Sequence, residues 1–129
     1  AASRKADADR AARAARAAER QSVVANAQGD PKSAARLMLA DHGWGTGQWS
    51  CLEQLWSGES NWNFRAANSS SGAYGIPQSL PASKMASVGA DYRTNPVTQI
   101  TWGMQYIQSS YGTPCNALSQ WQSRSPHWY

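Results

Sequence analysis

The run Asn95-Pro96-Val97-Thr98-Gln99-Ile100-Thr101-Trp102-Gly103-Met104-Gln105-Tyr106-Ile107-Gln108-Ser109-Ser110-Tyr111-Gly112 decides how this chain folds. Asn95 suits a helix cap and Pro96 the first helical position. Val97, Ile100, Met104, Ile107 and Tyr111 then recur at steps of three and four as far as Gly112. The spacing predicts one long amphipathic helix, the hydrophobic spine of a single core.

Upstream, Leu52, Leu55, Trp56 and Glu59 share one face of a predicted helix over 48–58, with Cys51 beside Leu55 and Gly58 as its stop. Asp30-Pro31 repeats the cap-and-proline pattern and predicts a helix over 31–42, with Leu37 and Met38 on its core face. Gly43, Gly45 and Gly47 read as a flexible turn around Trp44. A short helix is expected over 82–88, stopped by Gly89, and a last one over 115–122 with Leu118 and Trp121 inward. Between Asn61 and Pro81 the helical period is lost. Asn68-Ser69-Ser70-Ser71-Gly72 is a turn-forming run, and Ala73 to Gln78 reads as extended or irregular backbone.

Residues 5–28 form an alanine-driven helical pattern, with Arg10, Arg13, Arg16 and Arg20 three and four apart. The chain divides on this reading into a helical extension, 1–29, and one mainly helical domain, 30–129. Three readings of the extension stay open: it docks on the domain, it contacts another protein, or it is the end of a longer coiled region.

Composition narrows the function. An apolar fraction of 41% with 10% aromatics belongs to a folding chain, not a disordered one. The net charge of +4 is uneven: residues 1–48 carry eight basic and five acidic side chains, and residues 49–129 carry four and three. Six of the seven tryptophans lie beyond residue 48, in the nearly neutral part. A nucleic-acid groove needs basic residues among its aromatics, so no nucleic-acid partner is expected. His42 and His127 are far apart and the cysteines number two, which argues against a metal site. Cys51 and Cys115 suit a single disulfide in an exported protein, with two buried thiols as the other reading. No apolar run is long enough to span a bilayer and none resembles a signal peptide, so an exported form would be mature or truncated.

The candidate chemistry centres on Glu59. It shares the face of Leu52, Leu55 and Trp56, so partial burial is expected. It also sits at the end of a helix, whose field disfavours negative charge. Both effects raise a carboxyl pKa and hold a proton near neutral pH, as a general acid toward a glycosidic oxygen requires. The plain alternative is an ordinary surface carboxylate. Trp56, Trp62, Phe64 and Tyr74, set among Asn, Ser and Gln, suit stacking on sugar faces, although core rings fit the same pattern.

The stretch Glu59-Ser60, Ala67-Asn68 and Ser71-Gly72-Ala73-Tyr74-Gly75-Ile76-Pro77-Gln78 resembles the lytic transglycosylases of the lysozyme-like superfamily. In that family a Glu-Ser pair precedes a Gly-Ala-x-Gly-x-x-Gln segment. Gln99-Ile100-x-x-Gly103-x-x-Tyr106-Ile107 resembles a later helix motif of the family, in which a tyrosine faces the cleft. The ending Trp121 to His127-Trp128-Tyr129 is similar to small actinobacterial and aggregation-promoting-factor-like wall enzymes. The chain departs from the pattern at Gln99, where the family usually has Asn, and at Pro77, often Met. It also has Ala117-Leu118-Ser119-Gln120-Trp121 in place of an Ala-Tyr-Asn-Ala-Gly element.

The resemblance implies a lysozyme-like (α+β) fold with an irregular or small β insert, and a secreted or cell-wall-associated bacterial protein acting on peptidoglycan glycan strands. It implies Glu59 as the catalytic acid and then base, with Gln78 and Tyr106 holding the reacting sugar. Ser60 would support the glutamate or the loop, Asn68 and Ser71 would line the cleft, and Trp62 and Tyr74 would stack on sugar. No metal or cofactor is called for. Hydrolytic glycosidases commonly use two carboxylates. Beyond Glu59 the only acidic residue is Asp91, whose simplest role is local capping, and Glu53 lies about 240° round the helix from Glu59. A one-carboxylate transglycosylase is therefore expected. The rivals are a hydrolase of the same bond and a non-catalytic wall-binding or aggregation module.

Overall fold

Proline-led caps set most of the helix starts. In the computed structural model, which describes residues 2–129, Asp30 accepts a hydrogen bond from the Ser33 backbone N–H at 3.1 Å, and Pro31 opens the helix that follows. Asn95 and Thr113 do the same for the helices beginning at Pro96 and Pro114. The α-helices are α1 (Ala2–Gly29), α2 (Pro31–Met38), α3 (Trp49–Ser60), α4 (Pro96–Ser110) and α5 (Pro114–Ser123). Tighter 3-10 turns cover Leu39–His42, Thr46–Gln48 and Ala82–Ser87. The insert between α3 and the third of these turns is irregular, pinned by two antiparallel bridges, Ala67 to Tyr74 and Tyr74 to Ser79.

The core lies where α3, α4 and α5 meet. Leu52, Leu55 and Trp56 of α3 pack with Ile100, Met104 and Ile107 of α4, with Ala117 and Leu118 of α5, and with Ile76 from the insert. Each of these larger side chains contributes on the order of 1.5–3 kcal/mol by leaving water. Cys51 and Cys115 are joined in a disulfide, Cα to Cα 4.9 Å, which ties the first turn of α3 to the first turn of α5. On the other side of the core, Ala27 near the end of α1 is buried, and Gln28 donates to the Thr94 carbonyl at 2.7 Å. The later part of α1 thus rests on the start of α4, while most of its earlier residues are exposed.

Three local expectations need correction. Leu37 is 83% exposed: α2 turns Ala35 inward instead, and the chain's next buried residue is Leu39. Trp44 is held and not loose, since its ring is buried and its indole N–H donates to the Gly112 carbonyl at 3.0 Å. Gly58 does not stop α3, which runs on to Ser60 and ends at Asn61 in left-handed backbone, φ 52°. Glycine inside a helix costs about 1 kcal/mol relative to alanine. Here it makes room: a Cβ on Gly58 would stand 2.5 Å from the Trp121 ring.

Candidate active site

Glu59 lies in the last turn of α3, half-buried, on the wall of an open groove of about 430 Å³. Ser60, Asn68 and Gln78 line the same groove, together with Gly58 and Ala67. Burial pushes the Glu59 carboxyl above the ordinary carboxylate range. A hydrogen bond from the Trp121 indole N–H to its Oε1, 2.7 Å, and the nearby His127 draw it partly back.

The insert reaches Glu59 because three side chains hold it against the helices. Ser60 donates to the Ile76 carbonyl at 2.8 Å, which joins the end of α3 to the insert. Tyr129 accepts from the Trp56 indole N–H and donates to the Pro77 carbonyl, both at 2.9 Å. Gln99, fully buried in α4, accepts from the Ile76 N–H at 2.9 Å and donates to the Phe64 and Tyr92 carbonyls at 2.9 and 2.8 Å. Its amide lies so close that a Cβ on Gly75 would stand 2.6 Å from it, and Gly75 is also left-handed, φ 81°. Gln99→Leu leaves these three backbone groups unpaired, so it should lower unfolding free energy by roughly 3 kcal/mol or more in a urea titration. A loss below about 1 kcal/mol would mean the insert does not depend on this amide.

Gln78 sits in left-handed backbone, φ 57°, and its amide nitrogen donates to the carbonyls of Ala66 and Gly75 at 3.1 and 3.0 Å. Asn68 accepts from the backbone of Ser70 and Ser71, so it shapes the turn as well as the groove rim.

The structure does not bring every predicted residue to this groove. Trp62 is a correction: it is 5% exposed, packs edge-on to Trp56 and donates its N–H to the Glu53 carbonyl, so no face is left for a sugar. Trp56 is likewise core, 0% exposed. Tyr74 turns to the other side, donating to the Arg93 carbonyl at 2.7 Å. Ser71 lies outside the groove and accepts from the Ala73 N–H. Tyr106 lies outside it too, stacked on Trp102 with its hydroxyl given to the Tyr129 carbonyl.

The sequence profile of the transglycosylase SLT domain matches residues 45–123, more than half of the chain. The chain belongs to the transglycosylase SLT domain family. No curated protein and no solved structure gave a significant match. Members of this family are lytic transglycosylases, which cleave glycosidic bonds of peptidoglycan, and the mainly helical single core is the lysozyme-like fold expected of an SLT domain. The matched span covers α3, the insert, α4 and α5, hence every residue lining the Glu59 groove.

Two features of this SLT domain were not anticipated as parts of the site. Gln99, which opens the later helix motif and departs there from the family's usual Asn, holds the insert against α4. The segment after α5 folds back toward Glu59: His127 stacks on Trp121, ring centroids 4.2 Å apart, and Tyr129 bridges core and insert. The glycine inside α3 was the available sign that a large side chain comes close there. Among the described residues no three His, Cys, Asp or Glu side chains gather as metal ligands, and no helix is long and apolar enough to cross a membrane.

Proposed function

We propose that this SLT domain is a lytic transglycosylase that cuts the bond between N-acetylmuramic acid and N-acetylglucosamine, with Glu59 as acid and then base. The observation that carries the reading is a half-buried glutamate in a groove, its carboxyl held above the ordinary range by burial. The neutral acid gives its proton to the glycosidic oxygen as the C1–O bond breaks. The charge at C1 is shared by the oxygen of the muramic N-acetyl group. The Glu59 carboxylate then takes the proton of the C6 hydroxyl, O6 bonds to C1 in place of the N-acetyl oxygen, and a 1,6-anhydro ring closes. Water is not consumed, and Glu59 ends protonated as it began.

The single-carboxylate reading has support in the placement of the other acids. Asp91 accepts from Thr98 and Asn95 at 2.8 and 2.9 Å, which holds its carboxyl below the usual range. It lines a separate cavity against α1, with Arg16 and Arg20, and not the Glu59 groove. Glu53 pairs with Lys32 at 3.6 Å. Gln78 is the residue we assign to the N-acetyl group: among the described residues no donor meets its Oε1, which can accept the sugar's amide N–H. A disulfide and a wall-polymer substrate go together with a location outside the cytoplasm. The helix α1 and the domain from residue 30 onward are, on this reading, an accessory and a catalytic part.

Mass spectrometry of digested peptidoglycan tests the reaction. Muropeptides ending in 1,6-anhydro-muramic acid are the expected product; reducing ends carrying an added water would replace the transglycosylase with a hydrolase.

A further inference from the structure

Trp121 meets Glu59 through an arrangement that does more than fill space. Its ring edge lies against the backbone of α3, where only the missing Cβ of Gly58 makes room, and His127 stacks on the ring at 25°. The His127 Nδ1 lies 2.7 Å from the Trp121 carbonyl, so the stack is also tied to the turn of α5 that carries the indole. Held in this way, the indole N–H reaches Glu59 Oε1 at 2.7 Å.

We propose that Trp121 is a positioning residue for Glu59, a donor that occupies Oε1 and leaves the transferable proton on Oε2. An indole nitrogen can donate and cannot accept. The carbonyl oxygen of a neutral acid accepts better than its hydroxyl oxygen, so the proton of the neutral Glu59 sits on the oxygen Trp121 does not touch. As that proton leaves for the glycosidic oxygen, negative charge grows on the carboxyl and the N–H bond to it strengthens. An interaction stronger in the transition state than in the bound substrate raises kcat and leaves KM alone. The titratable groups facing Glu59 are His127 and Tyr129, both from the segment after α5. This inference rests on the assignment of Glu59 made above.

The test is Trp121→Phe, which keeps a ring in place and removes the donor, assayed on soluble glycan strands of defined length across pH. The expected result is a kcat lower by about ten-fold with KM within about two-fold. The alkaline limb of the pH profile should also move to higher pH, because the carboxylate has lost a donor. A purely structural role for the ring would lower stability and leave that limb where it is. Should the phenylalanine variant fail to fold, replacing Trp121 with benzothienylalanine keeps the bicyclic shape, lacks the N–H, and is read the same way. Parent kcat and an unmoved alkaline limb in either folded variant overturn the proposal. Glu59→Gln is run beside them: if it is inactive while the Trp121 variants match the parent, only the positioning role falls. If Glu59→Gln keeps its activity, the assignment beneath falls as well.

Discussion

Glu59→Gln should yield a folded protein whose glycan-cleaving rate is lower by about a thousand-fold or more. Glutamine keeps the size of the side chain and can still accept from the Trp121 indole. It has no proton to give to the glycosidic oxygen and cannot take one from the C6 hydroxyl, so both halves of the reaction lose their agent. Stability should move the other way. Burial raises the folded-state pKa of Glu59 above that of the unfolded chain, so the native state binds the proton more tightly. The carboxyl therefore weakens the fold progressively as pH rises from the ordinary carboxylate range through the raised pKa, and that penalty is constant beyond it. The glutamine variant escapes it. Its Tm at neutral pH should equal or exceed that of the parent, with the difference closing in acid. The parent's activity should decline on the alkaline side as the acid ionises. Release of soluble fragments from purified wall, with thermal unfolding at neutral and acid pH, checks both points. Activity within about ten-fold of the parent would place the proton donor elsewhere.

Removing the disulfide has the next largest expected effect, and it falls on stability. Cys51 and Cys115 are 64 residues apart in sequence, and closing a loop of that length removes entropy from the unfolded chain equivalent to about 4 kcal/mol. Against a usual total of about 5–15 kcal/mol, that is a large share. The Cys51→Ser, Cys115→Ser double variant should melt about 15 °C below the oxidised parent, as should the parent under reductant. The bond joins the starts of α3 and α5, the helices that carry Glu59 and Trp121, yet both sit far along their helices from the cysteines. Well below the new Tm, cleavage should therefore persist. A Tm change of less than about 3 °C would mean that other contacts already restrict the unfolded chain.

Much of the fold was legible because its signals are local. Asp30-Pro31 and Asn95-Pro96 marked helix starts by chemistry that needs no knowledge of the rest of the molecule, and α2 and α4 begin at those prolines. The spacing of Leu52, Leu55 and Trp56 likewise predicted a buried face, and all three are buried. What misled was chemistry whose partner lies elsewhere in the chain. Gly58 reads as a helix stop until Trp121 is known to lie on it. Trp62 among asparagines reads as an exposed ring, because nothing nearby in sequence shows that the Glu53 carbonyl will take its N–H. Gln99 reads as a family departure, and the reach of its amide to Phe64 and Ile76 requires the insert to be already folded. The groove residues divide the same way. Glu59 and Gln78 line it, while Ser71 and Tyr74 bond to their own surroundings, as polar side chains in turns often do.

Selection for heat tolerance would press on the groove early. Trp62 and Gln78 both hold left-handed backbone, φ 60° and 57°, a conformation that costs an L-residue about 1–2 kcal/mol. Glycine at either position would relieve that cost, yet at 62 it would empty a place in the core and at 78 it would delete the amide from the groove wall. Relief of strain thus competes with core packing at 62 and with the groove wall at 78. Hardier descendants of this protein would have to gain their robustness at a distance, for instance along the exposed stretch of α1, if they are to keep the groove and the core beside it unchanged.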